Sequence, residues 1–186
     1  MSKKLNQTQE NNFIIFAACR FDPRLKIGAG CSLILPAQEC ESIKCRDAQF
    51  GRLYITKDFK DITATCLELE TMIWALENYH AGSGAFKIVV CHDFKSVKDL
   101  LERWPKLEQT NYAGTLPGTT LAHAELYKEF FKLHDRLGFE MFWIDPLTSE
   151  AEKDYRHAIF SRVLQEADRA LKNQLKAENK VADKWF

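Results

Sequence analysis

Asp22, Glu68, Asp93, Asp145 and Asp154 all stand at the edges of apolar or periodic stretches, where a fold can put a carboxylate to work. Asp93 follows the apolar run AFKIVVC, and the carboxyl end of a central strand is where open α/β sheets place ligand sites. Glu68 lies early in the helical pattern TCLELETMIWALENY. Each also has a plainer reading. Glu68 can close a capping box with Thr65, Asp93 can cap a helix beginning near Ser96, and Asp145 can start a turn before Pro146. Asp22 stands next to Pro23, beyond the first apolar run.

Other chemistries lack their residues. His80, His92, His123, His134 and His157 show no two-histidine ligand spacing, and only His92 adjoins one of the carboxylates above. Cys19, Cys31, Cys40, Cys45, Cys66 and Cys91 contain no CxxC pair, which argues against zinc and for reduced thiols. There is no serine nucleophile elbow and no glycine-rich phosphate loop, since Gly82-Ser83-Gly84 precedes a strand rather than a helix.

The 186 residues, 46% hydrophobic, suffice for one substantial core and one domain. Lys and Arg number 26, as do Asp and Glu, so no net charge draws the chain to a phosphate backbone or an anionic membrane. Residues 1–60 carry ten basic against six acidic residues, leaving a net −4 on the remainder. No signal-peptide pattern opens the sequence, and no run approaches the roughly 18 apolar residues of a membrane span. The expected setting is intracellular, cytoplasmic or nuclear, without membrane contact.

Period and punctuation give the elements. Residues 1–12 read as a mobile arm. Strands are predicted at Phe13 to Arg20, about Ile27 to Leu35, and Gly51 to Thr56, forming an antiparallel meander. A helix follows from Thr65, with Leu69, Met72, Ile73, Leu76 and Tyr79 at helical spacing; Gly82 and Gly84 end it. Ala85 to Cys91 reads as a doubly covered central strand. A short helix, Ser96 to Trp104, should stop at Pro105, and another should run from Thr119 or Thr120 to Leu137. Phe139 to Ile144 is the last strand. Ser149 with Glu152 then opens a long helix striped by Ala151, Tyr155, Ile159, Val163, Ala167, Leu171 and Leu175. The domain spans 13–180, and 181–186 form a tail.

The order β-β-β-α-β-α-α-β-α resembles the ribonuclease H-like superfamily, and local sequences add to the likeness. Leu67-Glu68-Leu69 through Glu77 resembles the first-helix segment carrying that family's catalytic Glu, and His92-Asp93-Phe94-Lys95-Ser96-Val97 the segment carrying its central Asp. Leu126-Tyr127-Lys128 to Phe142-Trp143-Ile144 resembles the helix and strand that follow. The resemblance implies an α/β fold with a five-stranded mixed sheet and helices on both faces.

It also implies a test of the site. In that family four carboxylates hold two divalent ions, one generating the attacking hydroxide and the other stabilising the leaving oxyanion. Glu68 and Asp93 match two positions. On the first strand Ala18 falls at the Asp position, and on the last helix the position is Tyr155 by the apolar stripe or Arg156 by the Ser149 cap. Asp22, Asp145 and Asp154 are the alternatives, and Mg or Mn is expected only if such substitutes complete the set. If Arg156 enters the cleft, its guanidinium could neutralise Glu68 and Asp93. Substrate handling is thin as well: no Lys or Arg lies between Lys106 and Lys128, Ala64 and Thr65 replace the family's amide pair, and Asp145 to Thr148 lacks its His. Arg20, Arg24, Lys26, Lys44, Arg46 and Arg52 remain as a basic surface on the meander.

The expectation is a catalytically degenerate protein that binds other macromolecules, as an interaction or scaffold subunit, with a nucleic-acid-associated complex as one setting for it. Its last helix, roughly 45 Å long, could dock a partner or pair two copies, and Trp185 and Phe186 are candidate partner anchors. The alternatives are a divergent Mg- or Mn-dependent nuclease and a metal-free binder of RNA or RNA/DNA hybrid.

Overall fold

A computed structural model describes residues 12–42, 53–79 and 87–182. Ten elements follow one another: β1 (Asn12–Asp22), β2 (Ile27–Pro36), α1 (Ala37–Ser42), β3 (Ile55–Phe59), α2 (Ala64–Glu77), β4 (Lys87–His92), α3 (Leu100–Gln109), α4 (Ala124–Leu137), β5 (Glu140–Trp143) and α5 (Tyr155–Ala182). The strands form one mixed sheet in the order β3-β2-β1-β4-β5. The meander β1-β2-β3 is antiparallel, whereas β4 runs parallel to β1 and β5 parallel to β4. The expected five-stranded α/β architecture is therefore present, with one added short helix, α1.

Strand alternation divides the sheet between two cores. Ile15, Ala17, Ile88 and Val90 face α2, α3 and α4, packing with Leu69, Met72, Phe130 and Phe139. Ile14, Phe16, Ala18 and Cys91 face α5, packing with Ile159, Phe160, Val163 and Ala167. The middle strands are thus buried on both faces, which explains their continuous apolar runs.

Several boundaries differ from those read in the sequence, each for a local reason. β1 continues to Asp22, paired with Ile27, because the hairpin is tight and the turn begins only after the Asp. β3 sits later than expected, at Ile55–Phe59. The cap of α2 is Thr63, whose Oγ1 accepts the Cys66 N–H at 3.3 Å; the Thr65 and Glu68 capping box does not form, and Glu68 is released for other contacts. Pro105 lies within α3 rather than ending it. Trp104 stacks on Phe131 with centroids 4.6 Å apart and Leu107 is buried, so packing on both sides of the proline outweighs its lost N–H, a cost of about 3 kcal/mol. Residues 112–121 fold back on themselves through Gly114 N–H to Thr119 and Leu121 N–H to Tyr112, which delays α4 to Ala124. Ser149 does bond Glu152, at 2.6 Å, but this closes a separate turn ahead of α5.

The long final helix is not surplus to the sheet. Beyond the cleft end its Leu171 packs with Ile27 and Ala29, Gln174 Nε2 donates to the Phe59 carbonyl at 3.1 Å, and Lys60 pairs with Glu178 at 2.5 Å. α5 therefore reaches the β3 edge of the sheet. Trp185 and Phe186 lie outside the described residues, as do Lys44, Arg46 and Arg52.

Two glycines let α2 lie close on β2. A Cβ on Gly28 would come within 2.5 Å of Leu67 Cδ2, and one on Gly30 within 2.9 Å of both Thr71 Cγ2 and Oγ1. Thr71 is fully buried in α2, so the packing around it leaves its side chain little room to give way. Gly30→Ala is expected to lower unfolding free energy by about 1–3 kcal/mol, read as a lower urea midpoint with an unchanged slope.

Candidate functional site

The carboxyl ends of β1 and β4 and the N-terminal ends of α2 and α5 meet at one edge of the sheet. α2, seated on Gly28 and Gly30, carries Glu68 over this edge. The Glu68 carboxylate is bound by Ser96: the Ser96 N–H donates to Oε2 at 2.9 Å and the Ser96 hydroxyl at 2.6 Å. Both bonds are charge-assisted, so they are stronger than neutral ones. They tie the first turns of α2 to the turn between β4 and α3.

Asp93 follows β4 directly and accepts no hydrogen bond from another described residue; its own N–H is the backbone donor acting on it. Burial pushes its carboxyl above the usual carboxylate range, Arg20 pulls it back, and Glu68 pushes it up again. Ala18 is fully buried beneath α5, on the sheet face opposite α2. The next residue, Cys19, points the other way, packing beside Leu67. Burial and the Glu68 and Asp93 carboxylates together drive the Cys19 thiol far above its ordinary value, with Arg20 opposing, so the sulfur is a neutral thiol. Alternation on the strand decides this: Ala18 shares a face with Phe16, and Cys19 shares one with Ala17. The first-strand side chain turned toward Glu68 and Asp93 is therefore Cys19.

At the α5 end, Asp154 caps the helix, its Oδ1 accepting the Arg156 N–H at 3.0 Å. The Arg156 Nε–H donates to Asp154 Oδ2 at 2.6 Å, and His157 Nδ1 lies 2.9 Å from Oδ1. Burial pushes the Asp154 carboxyl up, but the bonds from Arg156 and His157 outweigh it and hold it below its usual value. The Arg156 guanidinium also stacks over Phe142, 3.6 Å from the ring centroid. Arg156 is thus committed to Asp154 and Phe142 rather than to Glu68 and Asp93; the cation in the field of Asp93 is Arg20. Tyr155 is half-buried against the α5 core, as its place in the apolar stripe requires.

The remaining candidates serve turns. Asp22 Oδ1 accepts the N–H groups of Arg24 and Leu25 at 2.9 and 3.0 Å, closing the β1-β2 hairpin. Asp145 Oδ1 accepts the Leu147 N–H at 2.9 Å. Arg24 and Lys26 are exposed on the hairpin, whereas Arg20 lies in the field of Asp93 and of Asp168 on α5.

Asp93, Ile144, Asp145, Glu150, Lys153 and Asp154 contribute to the wall of an open cleft of about 670 Å³. Glu68 and Cys19 are not among the residues that line it. Glu68 Oε2 is occupied by two donors, Asp154 by an arginine and a histidine, and the β1 position offers a protonated thiol where a hard cation wants oxygen. Among the described residues no three His, Cys, Asp or Glu side chains converge in a way that could hold a metal ion. Cys19 and Ser96 were not singled out in the sequence. The period-2 pattern of IIFAACR places Cys19 opposite Ala18, but nothing in it says which face meets α2.

No protein-family model and no curated protein sequence matches the chain. Solved structures do. A prototype foamy virus protease-reverse transcriptase in its native form superposes with a TM-score of 0.60 at 11% identity, over 86% of this chain and 20% of that one. The foamy viral protease-reverse transcriptase in complex with dsDNA gives 0.58 at 11% identity, over 86% and 92%. LC9-RNase H1, described as a type 1 RNase H with the type 2 active-site motif, gives 0.56 at 16% identity, over 84% and 74%. The chain has a ribonuclease H-like fold.

His92, the last residue of β4, is fully buried between Phe94 and Trp143, with Nδ1 accepting the Phe94 N–H at 3.2 Å. Burial lowers its pKa from the ordinary 6.5 to about 4. The unfolded chain then takes up a proton that the folded one refuses, so the contribution is full above pH 6.5 and is lost as pH falls toward 4. Stability should drop by roughly 3 kcal/mol across that window from this residue alone. In His92→Phe, urea midpoints measured from pH 7 to pH 4 should lose that part of the slope.

Proposed function

We propose that this ribonuclease H-like domain is catalytically inactive and works by binding a macromolecular partner, a protein in the first instance. The observation that carries this reading is the state of the carboxylates: Glu68 is held by Ser96, Asp154 by Arg156 and His157, and Cys19 supplies a neutral thiol between Glu68 and Asp93. Two-metal hydrolysis needs cations astride the scissile phosphate, and this donor set does not recruit them.

The same residues speak against phosphate as the direct ligand of the cleft. Asp93, Asp145, Glu150 and Asp154 put four acidic side chains on the wall, and among the described lining residues Lys153 is the one lysine or arginine set against them, which disfavours a nucleic-acid backbone there. The rim offers apolar surface instead: Leu147 is 90% exposed beside Pro146. An exposed leucine next to a polar wall is compatible with a protein surface as ligand. Any association with nucleic acid would then run through the partner.

Cleavage of an RNA/DNA hybrid in Mg²⁺ or Mn²⁺ tests the proposal, with Asp93→Asn alongside. The expected outcome is no cleavage above background by either protein. Cleavage by the wild type that disappears in Asp93→Asn would establish the nuclease alternative. Metal-independent hybrid binding that falls steeply with added salt would establish the nucleic-acid binder.

A further inference from the structure

We infer that Cys19 is the residue that withholds a third carboxylate from Glu68 and Asp93, and that Ser96 takes on Glu68 the place of a cation, so that these residues form a metal-independent latch. The inference rests on the cation-free reading of the cleft and adds which residue decides it.

Position singles out Cys19. It is the β1 side chain in the field of both carboxylates, whereas Ala18 lies under α5 among Phe16, Ile159 and Val163. A carboxylate at 19 would add a third acidic group on the face of the sheet where Glu68 and Asp93 already act on this position. At 18 it would be a buried charge in an apolar core, which is strongly destabilising without a partner. The thiol at 19 adds no charge, so Glu68 and Asp93 need only partial compensation. They receive it from different sources. Ser96 directs two donors at one oxygen of Glu68, and Arg20 supplies positive field to Asp93.

The latch has a structural result of its own. Glu68 comes from the second turn of α2 and Ser96 from the turn after β4, 28 residues away in sequence. A metal would join these segments only while bound; the Ser96 bonds join them at all times.

Mn²⁺ titration, followed by the electron paramagnetic resonance of free Mn²⁺ and by thermal unfolding, tests the inference on the full chain. Wild type, Cys19→Asp, Cys19→Ser and Ala18→Asp are compared. Cys19→Asp should bind Mn²⁺ saturably, at least about tenfold more tightly than wild type, with a melting temperature that rises as metal is added. Cys19→Ser should titrate like wild type, and Ala18→Asp should lose stability without gaining metal. A folded Cys19→Asp that titrates like wild type would overturn the assignment while leaving the inactive reading intact; tight binding by the wild type itself would overturn both. If Cys19→Asp does not fold, the latch is decided in EDTA by Glu68→Ala, Ser96→Ala and their combination. Each single change should lower the melting temperature by about 4 °C, with the double change lowering it by less than the sum; strict additivity would overturn the latch.

Discussion

The bare backbone of β2 beneath α2 sets the geometry of everything at the sheet edge. Gly28 and Gly30 leave room for Leu67 and Thr71 to rest against the strand itself. The helix is therefore seated at a depth that no larger residue would permit. From that depth Glu68 reaches the turn after β4 and meets Ser96. Move the helix outward by the thickness of a methyl group and both hydrogen bonds lengthen, since they converge on a single oxygen. Side-chain chemistry at the edge is in this sense a consequence of backbone clearance two strands away from β4.

Charge compensation at the carboxyl ends of β1 and β4 and the start of α5 is local and pairwise. Three acidic groups there have a dedicated answer: a serine for Glu68, an arginine and a histidine for Asp154, and the field of Arg20 for Asp93. Divalent ions would answer several carboxylates at once and would demand that they point to a common centre. Pairwise answers relax that demand. Asp93 is the least satisfied of them, which is why burial dominates its titration.

The order of strands and helices was legible because it depends on periodicity, and periodicity survives in a single sequence. The central strand at residues 87–92 and the α5 stripe through Ile159, Val163, Ala167 and Leu171 appear where their patterns put them. Helix starts were less legible. Ser149 with Glu152 and Thr65 with Glu68 both carry the capping signature, yet the caps are Asp154 and Thr63, because the signature records which residues can cap and not where packing brings the helix down. The site was half legible. Glu68 and Asp93 stand out by type and place, whereas Cys19, on the face of β1 that packs beside Leu67, does not. A strand's alternation fixes that Ala18 and Cys19 face apart; only the arrival of α2 on one side and α5 on the other says which is which.

The path of α5 has a bearing on how the domain is made. One core is complete once residues through Phe139 are available, since β1, β4 and helices α2 to α4 supply it. The other face of the same sheet is closed by Ile159, Phe160, Val163, Ala167 and Leu171, all made after every strand. During synthesis the sheet can therefore be covered on one side while Phe16, Leu33 and Cys91 still face water on the other. A nascent chain in that condition exposes a flat apolar surface until α5 leaves the ribosome, and that interval is when it most needs a chaperone.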